Sequence, residues 1–128
     1  MSTAQTAPVL LYAEDDTMIR LALVDALEEA GFRVISAHDG DATIQLLHEQ
    51  GQTLNGLITD INLGDGPDGW CVARTARELM SGLPVVYVSA VSEHEWTSHG
   101  VPNSVMITKP FVAAQVVVAI SSLLIVSE

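Results

Sequence analysis

Five positions carry the chemistry this chain could do. Glu14 and Asp15 follow one apolar run, Asp60 ends a second, Ser89 closes a third, and Lys109, the single lysine, follows a fourth just before Pro110. Carboxylates crowded together raise one another's pKa unless a cation sits among them. If the fold brings these acids to one place, the cluster asks for a metal, and hard oxygen ligands with several retained waters suit Mg²⁺. A carboxylate kept ionised there can attack a phosphoryl group. Ser89 can hydrogen-bond one phosphoryl oxygen and Lys109 can place a point charge on another. Phosphoryl transfer needs mainly this positioning and charge neutralisation, with Asp60 as the nucleophile.

The elements that must position these residues alternate along the chain. Apolar runs at Pro8–Ala13, Phe32–Ala37, Gly56–Asp60, Leu83–Ala90 and Ser104–Thr108 read as strands. Asp16 caps a helix from Thr17 to Ala30 whose core stripe is Ile19, Leu23, Ala26, Leu27 and Ala30, with Gly31 as its stop. His38, Asp39 and Gly40 make a turn into a helix marked by Ala42, Ile44, Leu46 and Leu47 and closed by Gly51. Asp68 caps a third helix with the face Val72, Ala73, Ala76, Leu79 and Met80. Ser92 to Glu95 reads as a capping box for a short helix carrying Trp96, and a last helix runs from Phe111 to Ile125. Five βα units imply an α/β fold with an open, doubly wound parallel sheet. Ligands of such sheets sit at the carboxyl ends of the strands, where Glu14, Asp15, Asp60, Ser89 and Lys109 all fall.

Each residue also has a plainer reading. Asp16 is better explained as a helix cap, and Ser89 or Lys109 alone would be an ordinary strand-end hydroxyl or surface charge. Glu14 and Asp15 precede the cap, and Asp60 is followed by a glycine-rich loop, so the cap reading does not absorb them. His38, His48, His94 and His99 lack metal-ligand spacing. Cys71 has no activating base nearby in sequence, and Trp70 and Trp96 read as half-buried packing residues.

The global numbers bound the rest. A chain of 128 residues with 48% hydrophobic residues suits one domain, with residues 1–7 as a loose tail and 8–128 as the folded unit. A formal charge of −11 repels nucleic acid and anionic membrane surfaces, which argues against direct DNA binding and membrane association. The tail lacks the features of a secretion signal, one cysteine fits a reducing compartment, and the uncharged C-terminal stretch falls short of a spanning helix. The expected location is cytoplasmic.

The segments LYAEDD, LITDINL, VVYVSA and ITKPF, in that order on five βα units, resemble the receiver domains of bacterial two-component response regulators. The resemblance covers about Pro8 to Leu124 and suggests a stand-alone receiver. It implies a flavodoxin-like (βα)5 fold with strand order 2-1-3-4-5. It also implies that Asp60 is phosphorylated by a partner histidine kinase or histidine phosphotransfer protein. Asp15 would ligate Mg²⁺ directly, Glu14 through water and Asn62 by its backbone carbonyl, beside Asp60. Ser89 would be the switch hydroxyl and Lys109 the family's lysine, followed by a cis Lys109-Pro110 bond. Such a domain assists only its own phosphorylation and dephosphorylation, acting as a switch read by a downstream protein or as a phosphate shuttle.

Three departures accompany the resemblance. The loop NLGDGPDG lacks the family's Met/Leu-Pro pair and is one residue longer. Met106 stands where many receivers carry a rotating Tyr or Phe, leaving Trp96 and His99 as candidate substitutes. The outer face of the last helix, Ala114, Val118, Ser121 and Ile125, carries no charge while Val112, Val116, Ala119, Ile120 and Leu123 face the core. With the Trp96 helix and the fifth strand, that outer face would form a homodimer or partner surface. Two alternatives have less support. An aspartyl-phosphate hydrolase of the haloacid dehalogenase type needs a second carboxylate where Asn62 stands, and a docking module that is not phosphorylated would tend to lose the acids or the lysine.

Overall fold

The computed structural model of the chain describes residues 7–90 and 93–126. Strands and helices alternate: β1 (Val9–Ala13), α1 (Thr17–Glu29), β2 (Arg33–Ala37), α2 (Gly40–Gln50), β3 (Gly56–Thr59), α3 (Gly69–Leu79), β4 (Val85–Ser89), α4 (Glu93–His99), β5 (Ser104–Thr108) and α5 (Ala113–Val126), with a 3-10 turn at Gly51–Thr53. The strands pair in parallel in the order β2-β1-β3-β4-β5. No helix among the described residues is long and apolar enough to cross a membrane.

The period of two along each strand divides the core in half. Leu11, Ala13, Leu57, Val85 and Tyr87 face Leu47 of α2 and Val72, Ala73 and Ala76 of α3. Leu10, Tyr12, Ile58, Val86, Val88 and Ile107 face Leu23 and Leu27 of α1 and Val116 and Ile120 of α5. The central strands are therefore covered on both faces, which is why they read as unbroken apolar runs. Asp16, Asp39 and Asp68 accept from the backbone N–H of Ile19, Ala42 and Cys71 at 3.0, 2.8 and 2.9 Å. Each such cap contributes about 1 kcal/mol and sets where a helix starts above the strand ends.

Several stripe positions differ from expectation. Ala30 is exposed because α1 stops at Glu29; its N–H caps the last turn, and Gly31 follows with φ +103°. Leu79 and Val112 are exposed, at 40% and 65%. Val112 precedes α5 and donates its N–H to Gln115 Oε1 at 2.9 Å, half of a capping box. The helix thus begins at Ala113, with its buried side at Val116 and Ile120. Ser121 is partly buried, whereas Val118 and Ile125 are exposed as expected. Gly51 ends α2 in a right-handed conformation and leads directly into the 3-10 turn. Trp70 is buried, not half-buried, against Tyr87. The capping box read from Ser92 and the tail up to residue 6 lie outside the described residues.

Polar ties hold the far side of the sheet. The Arg77 guanidinium donates to the carbonyls of Leu83 and Pro102 at 2.7 and 2.6 Å. The Tyr87 hydroxyl accepts from the Val101 N–H at 3.1 Å. The loop after β3 is tied by Gly69, whose N–H donates to the Ile61 carbonyl at 2.7 Å and whose Cα lies against the Asp60 carbonyl. A Cβ at Gly69 has no room, whereas one at Gly82 meets nothing within 4 Å. Gly69→Ala is expected to lower stability by about 2 kcal/mol in urea unfolding, and Gly82→Ala to leave it unchanged or slightly raised.

Candidate functional site

The register of the sheet assembles the site. Ala13 pairs with Thr59, so the next residues, Glu14 and Asp60, leave neighbouring strands side by side. Ser89 pairs with Thr108, and the Lys109 N–H donates to the Ser89 carbonyl at 2.9 Å. Glu14, Asp60 and Lys109 each lie two residues beyond a side chain of the α1/α5 core half, Tyr12, Ile58 and Ile107. Strand alternation therefore turns all three to one side of the sheet edge. The Lys109-Pro110 bond is cis, as expected.

The Lys109 ammonium joins two carboxylates. Its Nζ lies 2.7 Å from Asp60 Oδ2 and 3.0 Å from Glu14 Oε1. Glu14 has no exposed surface; its second oxygen accepts from the Asp16 N–H at 3.1 Å, and its carbonyl accepts from Arg20 Nη1 at 2.8 Å. The other Asp60 oxygen accepts from the Asn62 N–H at 3.3 Å. Burial pushes the Glu14 carboxyl above its ordinary pKa, against the opposing pull of the Asp16 N–H and Lys109. Burial alone would lower the ammonium of Lys109, but the hydrogen bonds and charges of Asp60 and Glu14 outweigh it and hold the pKa above the usual lysine value.

An open cleft of about 370 Å³ lies over this pair, lined by Asp15, Asp60, Asn62, Ser89, Ala90 and Lys109. Glu14, Asp15 and Asp60 each offer a carboxylate oxygen within 4.8 Å of the others. Three hard oxygen donors, one of them exposed, fit a Mg²⁺ ion that keeps most of its waters. A larger cavity of about 520 Å³ between α1 and the start of α5 is almost wholly apolar and borders Lys109 from behind.

Other residues singled out in the sequence lie away from the cleft. Met106 and Trp96 are half-buried against the α2/α3 core half. The Trp96 Nε1 donates to Ser104 Oγ at 3.0 Å, and the exposed His99 meets the Trp70 ring at 5.7 Å between centroids. Sequence reasoning missed Arg20 on the Glu14 carbonyl and Tyr12 beneath Glu14. The Arg20 contact has no local signal, but Tyr12 stands two residues before Glu14 on a strand, which places both on one face.

With this geometry in view, the profile of the response regulator receiver domain family matches residues 10–121, and the chain belongs to that family. It is 31% identical over 118 residues to the response regulator receiver protein CpdR of Brucella abortus, covering 91% of this chain and 96% of CpdR. It is 29% identical to the transcriptional regulatory protein PrrA of Mycobacterium bovis, but spans about half of it, 53%. A crystal structure of a response regulator receiver protein from Sinorhizobium medicae superposes with a TM-score of 0.90 at 40% identity, covering 95% of this chain and 98% of that one. The family belongs to two-component signalling, and its receiver domains are generally phosphoacceptors rather than enzymes.

Removing the shared cation tests the electrostatics. Lys109→Met leaves two buried carboxylates without their ammonium, and in metal-free buffer is expected to cost about 3 kcal/mol at pH 7. Glu14, already raised, rises further without Lys109. A raised carboxyl favours the fold below its unfolded pKa of about 4.3 and loses that contribution as pH climbs through its folded value. The difference between variant and wild type in urea unfolding should therefore narrow as pH falls from 7 toward 5.

Proposed function

We propose that this receiver domain is a phosphoacceptor switch in which Asp60 takes a phosphoryl group from a histidine kinase or histidine phosphotransfer protein. The observation that carries the reading is the Lys109 ammonium on Asp60 Oδ2, at the floor of a cleft that Asp15, Asn62 and Ser89 also line. An Asp60 oxygen bonds to phosphorus as the phosphorus–nitrogen bond to the donor imidazole breaks. Asp15 and Asp60, with the Asn62 carbonyl and with Glu14 through water, would hold Mg²⁺, which neutralises charge on the phosphoryl oxygens. Lys109 turns toward one of those oxygens and the Ser89 hydroxyl donates to another, so both β4 and β5 register the modification.

The partner surface follows from the same placement. The uncharged outer face of α5, with Val118 at 63% and Ile125 at 74% exposure, is the candidate surface for a second copy or a downstream protein, together with β5 and α4. The strong negative charge favours a protein reader over DNA, and a cytoplasmic location suits a partner histidine kinase.

Intact-mass measurement with Mg²⁺ and a small phosphodonor such as acetyl phosphate should show one added phosphoryl group on wild type and none on Asp60→Asn. No gain on wild type overturns the phosphoacceptor reading; a gain on both moves the site elsewhere. Mg²⁺ at ten times its Kd should stabilise wild type by about 1.4 kcal/mol, an effect lost in Asp15→Asn. Light scattering should show association on phosphorylation that Ile125→Glu abolishes without loss of the phosphoryl group; a wild type that stays monomeric overturns the dimer.

A further inference from the structure

Tyr12 carries a buried hydroxyl that no protein group partners, alone in this among the described buried side chains. Its ring has no exposed surface and packs in the apolar half of the core with Leu23, Ile58 and Val88. A phenylalanine would fill the same space without the stranded hydroxyl, so core packing gives no reason for the oxygen. Its surroundings do. Tyr12 stands two residues before Glu14 on β1, on the same face, and an ordinary phenol keeps its proton at neutral pH. The hydroxyl is thus a neutral donor beside a carboxylate cluster: it lies close enough to Glu14 for a weak interaction with that side chain but meets no oxygen at full hydrogen-bond geometry, the two Glu14 oxygens being held toward Lys109 and the Asp16 N–H.

That occupation is temporary if Lys109 serves the phosphoryl group. Arriving phosphoryl oxygens draw Nζ away from Glu14 Oε1, and a carboxylate with no exposed surface then loses its cation. We infer that Tyr12 is a positioning residue whose hydroxyl takes up the Glu14 oxygen that Lys109 releases, freeing the ammonium for the phosphoryl group. The step requires rotation of one O–H bond and a small turn of the carboxylate. Tyr12 keeps its proton, Glu14 stays anionic and Lys109 stays an ammonium, so only hydrogen bonds are exchanged. The inference rests on the phosphoacceptor reading.

Tyr12→Phe tests it by two measurements made beside wild type. In metal-free buffer without phosphodonor the variant should melt at or above the wild-type temperature, because a stranded polar group is gone. With Mg²⁺ and acetyl phosphate its phosphorylation rate should fall about tenfold, the effect of losing one hydrogen bond to a charged group. A merely structural tyrosine would lower melting and leave the rate intact. Melting below wild type means the hydroxyl is already satisfied and overturns the inference, as does an unchanged rate. If wild type takes no phosphoryl group, the phosphoacceptor reading fails and the exchange at Glu14 falls with it; if wild type takes it and the variant matches, only the role of Tyr12 fails.

Discussion

One ammonium holds two carboxylates at the carboxyl edge of the sheet, and the rest of the molecule is arranged to keep it there. Glu14 and Asp60 are both buried, and removing one partner from such a cluster strands a charge in low dielectric. The three groups come from β1, β3 and β5, which are brought together only by the order β2-β1-β3-β4-β5 and by a register that sets Glu14 beside Asp60. The caps at Asp16 and Asp68 start the next helices close above this edge, and Gly69 draws the β3–α3 loop onto the Asp60 backbone. The fold is the device that lets so few charges meet.

The two halves of the core divide the labour. The α1/α5 half ends in the charged groups, with Tyr12 below them. The α2/α3 half ends in aromatic packing, where Trp70 lies 4.8 Å from Tyr87 and the Tyr87 hydroxyl binds the Val101 N–H after α4. Tyr87 is two residues before Ser89, so one buried ring and one hydrogen bond connect the cleft end of β4 with the loop between α4 and β5. Met106 has no hydrogen bond to contribute on that path, and packs with Trp96 against the same core half.

Much of this was legible in the sequence for a definite reason. Apolar strands covered on both faces leave unbroken runs, and a charge at the end of such a run is conspicuous, which is how Asp60 and Glu14 stand out. Aspartates before helical stripes foretold the caps at Asp16 and Asp68. Val112 and Leu79 misled because an apolar side chain at helical spacing looks like core even just before a helix begins or on its last residue; Gln115 accepts the Val112 N–H, and α5 begins one residue later, at Ala113. Trp70, on α3, is deeper than expected because its partner, Tyr87, comes from β4, a distant stretch of the chain. The sharing of Lys109 and the stranded Tyr12 hydroxyl depend on side-chain geometry across strands, which linear spacing does not record.

The way the chain uses its cations has a further consequence for its behaviour in solution. Of five basic residues, Lys109 is committed to the cleft, while Arg20 and Arg77 turn their guanidinium groups onto backbone carbonyls. Arg33 and Arg74 are left as exposed positive charges against an acidic surface. Two copies meeting through the uncharged face of α5 would therefore bring two strongly anionic bodies together, and ions in the medium would screen that repulsion over about 8 Å at physiological ionic strength. Any encounter between copies of so acidic a chain would be governed by salt as well as by shape, and dissolved counterions would do for the molecule's exterior what Lys109 does for its interior.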